Sequence, residues 1–180
     1  MQINSLLLLL WNARSITAKL DEFKKILDDN KPHISCITET WLKNKDTIKL
    51  NGYDVIRKDR DFGRTAGGVA FIINKHLHYQ TLNLQHYQNG QIECIAIALH
   101  LKKTYINILL CYNPNGNLNE TELDFYRKQL TGNIIICGDF NAKHHTWNRL
   151  GSNSGGDTLY RYLNTSHDLF LLTPPYLETR

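Results

Sequence analysis

Asn133-Ile134-Ile135-Ile136-Cys137-Gly138-Asp139-Phe140-Asn141-Ala142 is the stretch on which the reading of this chain turns. Its three consecutive isoleucines are β-branched and suit extended backbone, and a short unbroken apolar run of this kind predicts a strand buried on both faces. Gly138 ends the run, and a carboxylate and an amide, Asp139 and Asn141, follow two positions apart. In extended backbone such a pair points the same way, with Phe140 turned back to the core, so the strand presents two polar groups to a cleft. An Asx-turn closing the strand accounts for the same residues, because Asp and Asn after Gly are common turn formers.

The arrangement recurs upstream. Residues 33–38 form an apolar run that leads directly into Glu39-Thr40-Trp41-Leu42, placing a carboxylate at the exit of a second buried strand. Residues 6–11 predict a buried first strand that runs into Asn12-Ala13-Arg14-Ser15. Between them, Leu20, Phe23, Ile26 and Leu27 fall at helical spacing, with Ser15 or Thr17 as cap and Pro32 as stop. Residues 53–57, 67–74, 79–84, 91–101 and 104–110 read as short successive strands, which argues for antiparallel sheet, and Lys102-Lys103 as a hairpin turn. Leu110-Cys111-Tyr112 then opens into the turn cluster Asn113-Pro114-Asn115-Gly116. Asn119 and Glu122 have capping-box spacing ahead of a helix with Leu123, Tyr126 and Leu130 on its apolar face. After the central stretch come a polar loop over 143–156, a short helix from Asp157 with Leu159 and Leu163, and a last strand near 169–173.

With 180 residues, 42% of them hydrophobic and 21% charged, the chain suits one globular domain with a sizeable core. A formal charge of +4 is mildly basic and compatible with a polyanionic partner. The four cysteines show no C-x-x-C spacing and sit inside apolar runs, so they are expected to be buried and reduced, in an intracellular compartment. The leucine run at 6–10 is too short to span a bilayer, and no membrane partner is expected. Asn12, Glu39, Tyr112, Asp139 and Asn141 thus all leave apolar strands. Carboxylates and amides are hard oxygen ligands suited to Mg²⁺, with Mn²⁺ as the alternative, whereas no Cys/His spacing fits zinc.

Taken in order, Trp11-Asn12-Ala13-Arg14-Ser15, Thr38-Glu39-Thr40-Trp41-Leu42, Gly67-Gly68-Val69-Ala70, Cys111-Tyr112-Asn113-Pro114-Asn115 and Gly138-Asp139-Phe140-Asn141-Ala142 resemble the endonuclease/exonuclease/phosphatase superfamily. Within it, the sequence is most similar to the endonuclease domain of jockey-like non-LTR retrotransposons. The resemblance implies an α/β (α+β) fold, a four-layer sandwich of two mainly antiparallel sheets flanked by helices, with the site at one rim. It implies Mg²⁺-dependent hydrolysis of a phosphodiester, with DNA as partner and the nucleus as the place of action. Residue by residue, it makes Glu39 the principal metal ligand with Asn12 beside it and Asp139 near the ion. Asp139 would also orient and deprotonate the attacking water, Asn141 would fix that aspartate and the phosphate, and Tyr112 would donate to a non-bridging oxygen. Arg14, Arg64, Lys143, His144 and Arg149 are candidate contacts to the DNA backbone, and Trp41 and Trp147 are candidates for stacking on bases.

The family pattern closes with a further strand pair that carries an aspartate and a Ser-Asp-His motif, and residues 1–180 contain neither; His167-Asp168 has the reverse order. The expectation is therefore a single domain incomplete at its C-terminus, lacking the last strands and weak in hydrolysis, with the first strand left at an exposed edge. A non-catalytic nucleic-acid-binding remnant and a phosphatase on the same scaffold are the alternatives.

Overall fold

The computed structural model describes residues 5–60 and 66–173. One sheet has the order β1 (Leu8–Asn12), β2 (Ile34–Thr38), β4 (Val69–Asn74), β3 (Tyr53–Lys58). The other runs β5 (Tyr79–Leu82), β6 (Glu93–His100), β7 (Tyr105–Tyr112), β8 (Asn133–Asp139). Neighbours are antiparallel except β1 with β2 and β7 with β8. Parallel neighbours need a crossover long enough to return to the starting end, and here helices provide it. The helix α1 (Leu20–Asn30) joins β1 to β2, and α2 (Glu120–Arg127) joins β7 to β8. A third helix, α3 (Ser154–Thr165), follows β8 and is tied to α2 by the Tyr162 hydroxyl, which donates to Asp124 at 2.9 Å. No helix among the described residues is long and apolar enough to cross a membrane.

Strands that read as unbroken apolar runs do so because alternate residues serve different cores. In β4, Val69, Phe71 and Ile73 enter the layer between the sheets, while Ala70 and Ile72 pack with Phe23 and Leu27 of α1. In β7, Ile108, Leu110 and Tyr112 face the other sheet, while Leu109 and Cys111 pack with Leu123 and Tyr126 of α2 and Tyr162 of α3. The result is the expected four-layer sandwich: α1, first sheet, second sheet, then α2 with α3.

Several local expectations are corrected. The runs at 6–11 and 133–138 do form strands, but among the described residues β1 and β8 are each the outermost strand of their sheet, so β8 is only half buried and Leu10 of β1 is 50% exposed. The edge position of β1 agrees with the reading from the family pattern. No side chain caps α1; the chain enters it through a 3₁₀ turn at Thr17–Lys19 and leaves through Lys31 in left-handed conformation. Of the capping box only half is made: the Asn119 side chain accepts from the Glu122 N–H at 3.2 Å, while the Glu122 carboxylate accepts from the Gln91 and Ile92 N–H groups at 3.1 and 2.8 Å. The last helix begins at Ser154 rather than Asp157, because Asn153 caps it and Gly155 and Gly156 pass too close to the Gly116 and Lys143 backbones for any side chain. Residues 169–173 form no strand; they lie against α3 without a strand partner among the described residues, and Phe170 is 81% exposed. The cysteines are free thiols, with Cys36, Cys94 and Cys111 buried and Cys137 half buried.

At Gly138 the β8 backbone lies tight against β7. Its φ is +142°, and a Cβ there would stand 1.7 Å from the Cys111 carbonyl oxygen. Gly138→Ala is therefore expected to destabilise the fold by about 3 kcal/mol or more, read as a lowered midpoint in urea unfolding; an unchanged midpoint would contradict this approach of the two strands.

Candidate active site

The same alternation that divides the cores aims three polar side chains at one rim. Asn12 is in phase with Leu8, Tyr112 with Ile108 and Leu110, and Asp139 with Cys137, all facing the layer between the sheets. Glu39 is not in phase; strict alternation would send it with Ile37 toward α1. A left-handed φ of +52° at Glu39 breaks the alternation and brings its carboxylate to Asn12. Backbone pairing holds that conformation, since Ala13, Ser15 and Ile16 donate to the carbonyls of Thr38, Glu39 and Thr40 at 2.9, 3.0 and 3.0 Å. Arg14, Ser15, Glu39, Trp41 and Asn141 are five of the seven non-glycine residues with positive φ among the described residues, and all five flank these strand exits. Such backbone costs roughly 1–3 kcal/mol per residue and persists only where the surroundings enforce it, which is characteristic of functional sites.

At the centre, the Asn12 amide nitrogen donates to Glu39 Oε1 and to Asp139 Oδ2, both at 2.7 Å. Both of its protons are thereby spent between two carboxylates. Asn12 Oδ1 is buried without a hydrogen-bond partner among the described residues. The other oxygen of Asp139, Oδ1, accepts from the Asn141 N–H at 3.0 Å. That is an Asx-turn, so the two readings of the central stretch hold together: Asp139 closes its own turn with one oxygen and faces the rim with the other. The expectation that Asn141 points the same way as Asp139 is corrected. A φ of +48° turns it aside, and its amide donates to the Asn113 carbonyl at 2.9 Å. Asn113 in turn donates to the Phe140 carbonyl at 2.9 Å, so the exits of β7 and β8 are stitched together.

Tyr112 completes the cluster. It is 6% exposed, and its hydroxyl lies beside the Glu39 carboxylate. Burial first, then the charge and hydrogen bond of Glu39 and the charge of Asp139, push the phenol well above its ordinary pKa, against the opposing charge of Arg60. The phenol is therefore a permanent proton donor at neutral pH. The cluster supplies a neutral donor, two carboxylates and an unpartnered amide oxygen. Among the described residues no three or more His, Cys, Asp or Glu side chains are grouped so that they could share a metal ion. This donor set suits a hard divalent cation that keeps water and takes one or two carboxylates.

The outlying candidates separate. Arg14, Lys143 and Arg149 are exposed on loops flanking the cluster. His144 is corrected: it is 4% exposed and stacked on Tyr160 with ring centroids 4.1 Å apart, which removes it from any external contact. Trp147 is half buried, with its indole N–H donating to the Ala142 carbonyl at 3.0 Å, while Trp41 is partly exposed. Arg64 lies outside the described residues. Sequence reading passed over Arg60 and Glu93, an ion pair beside Tyr112. The only trace of it in the sequence is a lone carboxylate at the mouth of an apolar strand.

Residues 9–179 match the model of the Endonuclease/Exonuclease/phosphatase family. The chain belongs to that family. Among similar proteins of Drosophila melanogaster, the RNA-directed DNA polymerase from mobile element jockey is 28% identical over 94% of this chain, and the probable RNA-directed DNA polymerase from transposon BS is 24% identical over 95% of it. The chain spans only 20% and 19% of those two proteins, about a fifth of their length. The solved endonuclease domain of TRAS1, a telomere-specific non-LTR retrotransposon, superposes with a TM-score of 0.65 at 20% identity, over 88% of this chain and 71% of that one. That likeness carries the fold: two mixed sheets flanked by helices, as in other members of the endonuclease/exonuclease/phosphatase family.

The raised Tyr112 pKa has a measurable consequence for stability. A folded-state value above the unfolded one of about 10 means that stability tied to the neutral phenol is complete below that pH and is lost as pH rises toward the folded value. Urea midpoints of Tyr112→Phe are expected to decline less steeply than wild type between about pH 9 and 11. Equal slopes would mean that the phenol ionises as it does in water.

Proposed function

We propose that this chain is a divalent-metal-dependent endonuclease domain that nicks DNA, in the nucleus, as part of a mobile element. The observation that carries the proposal is the Asn12 amide, whose nitrogen is held between two carboxylates while its Oδ1 is buried without a partner among the described residues, since a buried acceptor without a partner is costly and a cation relieves it. The mobile-element polymerases among its relatives and the TRAS1 endonuclease domain support DNA as the substrate.

Glu39, Asn12 Oδ1 and Asp139 are the groups that hold Mg²⁺ or Mn²⁺. When bound, the ion offsets negative charge that develops on the phosphate. The chain's own residues do the rest. Asp139 is oriented by the Asn141 N–H and by Asn12, and takes the proton of the water that attacks phosphorus; as that bond forms, the bond from phosphorus to one sugar oxygen breaks, and the sugar oxygen leaves with the electron pair and takes a proton from solvent. Tyr112 keeps its proton and donates to a non-bridging phosphate oxygen, an interaction that strengthens as charge accumulates there. Arg14 and Lys143, exposed on the loops beside the rim, contact neighbouring phosphates of the backbone. Asn141 holds the β7 and β8 exits in register, so that Asp139 stays under the attacking water.

Relaxation of supercoiled plasmid in Mg²⁺ tests this reading. Asp139→Ala is expected to slow nicking by about 10²–10⁴-fold, and chelation of the metal to abolish it. Lys143→Ala is expected to weaken binding and lower the salt slope by about one, leaving the chemical step intact. Nicking that survives Asp139→Ala at the wild-type rate would overturn the assignment.

A further inference from the structure

Beside the cluster lies an ion pair that the chemistry above does not use. The Arg60 guanidinium engages Glu93 Oε1 through Nε and a terminal nitrogen, and both side chains are largely buried. Glu93 Oε2 accepts from the Gly68 N–H at 2.6 Å, so the carboxylate is held from two sides. Glu93 opens β6 directly opposite Tyr112 of β7 in the sheet register. The guanidinium carbon in turn lies 5.9 Å from the centroid of the Tyr112 ring, within the range of a cation–π contact. The backbone is shaped around the pair. Gly67 has a φ of +103°, and a Cβ there would meet Arg60 Nε at 2.5 Å and Glu93 Oε1 at 2.8 Å; a Cβ on Gly68 would meet Thr40 Oγ1 at 2.4 Å. The Gly67-Gly68 step is thus the space into which the pair and the β2 exit fit.

A largely buried ion pair is a poor stabilising device compared with apolar packing, because desolvation offsets most of its attraction. Its worth here is geometric. The guanidinium is a flat, rigid cation locked by a fork on Glu93 and laid toward a ring whose hydroxyl reaches Glu39. From this juxtaposition we infer that Arg60, clamped by Glu93, is a positioning residue that fixes the Tyr112 ring so that its hydroxyl stays beside Glu39 at the rim. Its catalytic consequence rests on the reading of Tyr112 as a phosphate donor, whereas the placement of the ring is measurable without turnover.

Two arms test it. In the first, 3-fluorotyrosine is installed at position 112 and its ¹⁹F resonance compared in wild type, Arg60→Gln, Glu93→Gln and Arg60→Lys. Arg60→Lys keeps the charge and a partner for Glu93 while losing the flat guanidinium, and so guards against misfolding of the other two. Each variant is expected to shift and broaden the line; an unchanged resonance in the folded variants overturns the inference. In the second, Arg60→Gln is expected to lower kcat for plasmid nicking by about 10-fold at unchanged KM, and to add less than about twofold when Tyr112 is already Phe, because residues acting through one group are not additive. Additive losses, or a raised KM with a weaker salt dependence, would make Arg60 an independent phosphate contact and overturn the inference. A wild-type chain that does not nick overturns the proposed function instead, and the fluorine result then decides this inference alone.

Discussion

One side-chain amide between two carboxylates is the constraint on which the rest of this molecule depends. Glu39 and Asp139 are 100 positions apart in the chain and leave strands of different sheets, yet Asn12 donates to both at 2.7 Å. Hydrogen bonds to charged acceptors contribute about 1.5–3 kcal/mol each, and here they also offset the repulsion of two like charges at close range. The geometry tolerates little error. Asn12 must sit on a strand in phase with the inter-sheet layer, Glu39 must turn against its strand's alternation, and Asp139 must arrive on the facing sheet with one oxygen closing its own turn and the other turned to Asn12.

The fold meets these demands with features that would otherwise be liabilities. β1 and β8 each run parallel to a neighbour through a helical crossover, and this brings both exits to the same end of the sandwich. Left-handed backbone at Glu39 and Asn141 redirects two side chains that extended backbone would aim elsewhere. Glycine at 67, 68 and 138 allows backbone and side chains to approach more closely than any Cβ permits. Strain is therefore concentrated around the polar cluster, while the large aliphatic residues of β4, β6 and β7 make the rigid body that enforces it.

That apolar strands end in polar residues was legible in the residues themselves, because an unbroken run such as Ile134-Ile135-Ile136 or Ile34 to Thr38 has few conformations besides extended backbone that shelter it, whereas the four layers were implied by the family resemblance. What escaped had no such signal. Periodicity cannot see that Glu39 is left-handed, and it sends that carboxylate to the wrong face. Asn153 capping a helix that opens with two glycines reads as loop until the Lys143 backbone is known to pass beneath them. His144 reads as an exposed loop cation until Tyr160, on the helix that follows, stacks over it. Residues 169–173 look like a strand by composition, but a strand is made by a partner, and none pairs with them among the described residues. Arg60 and Glu93 meet only through tertiary structure, 33 positions apart.

Paramagnetic relaxation by Mn²⁺ in amide-resolved NMR spectra tests most directly that these groups form one cation site. The account requires broadening centred on Asn12, Glu39 and Asp139 together at substoichiometric ion, with Tyr112 and Asn113 next, and its loss in Glu39→Gln. Broadening confined to another acidic stretch, such as Asp28-Asp29 at the end of α1, or unchanged by Glu39→Gln, would contradict it.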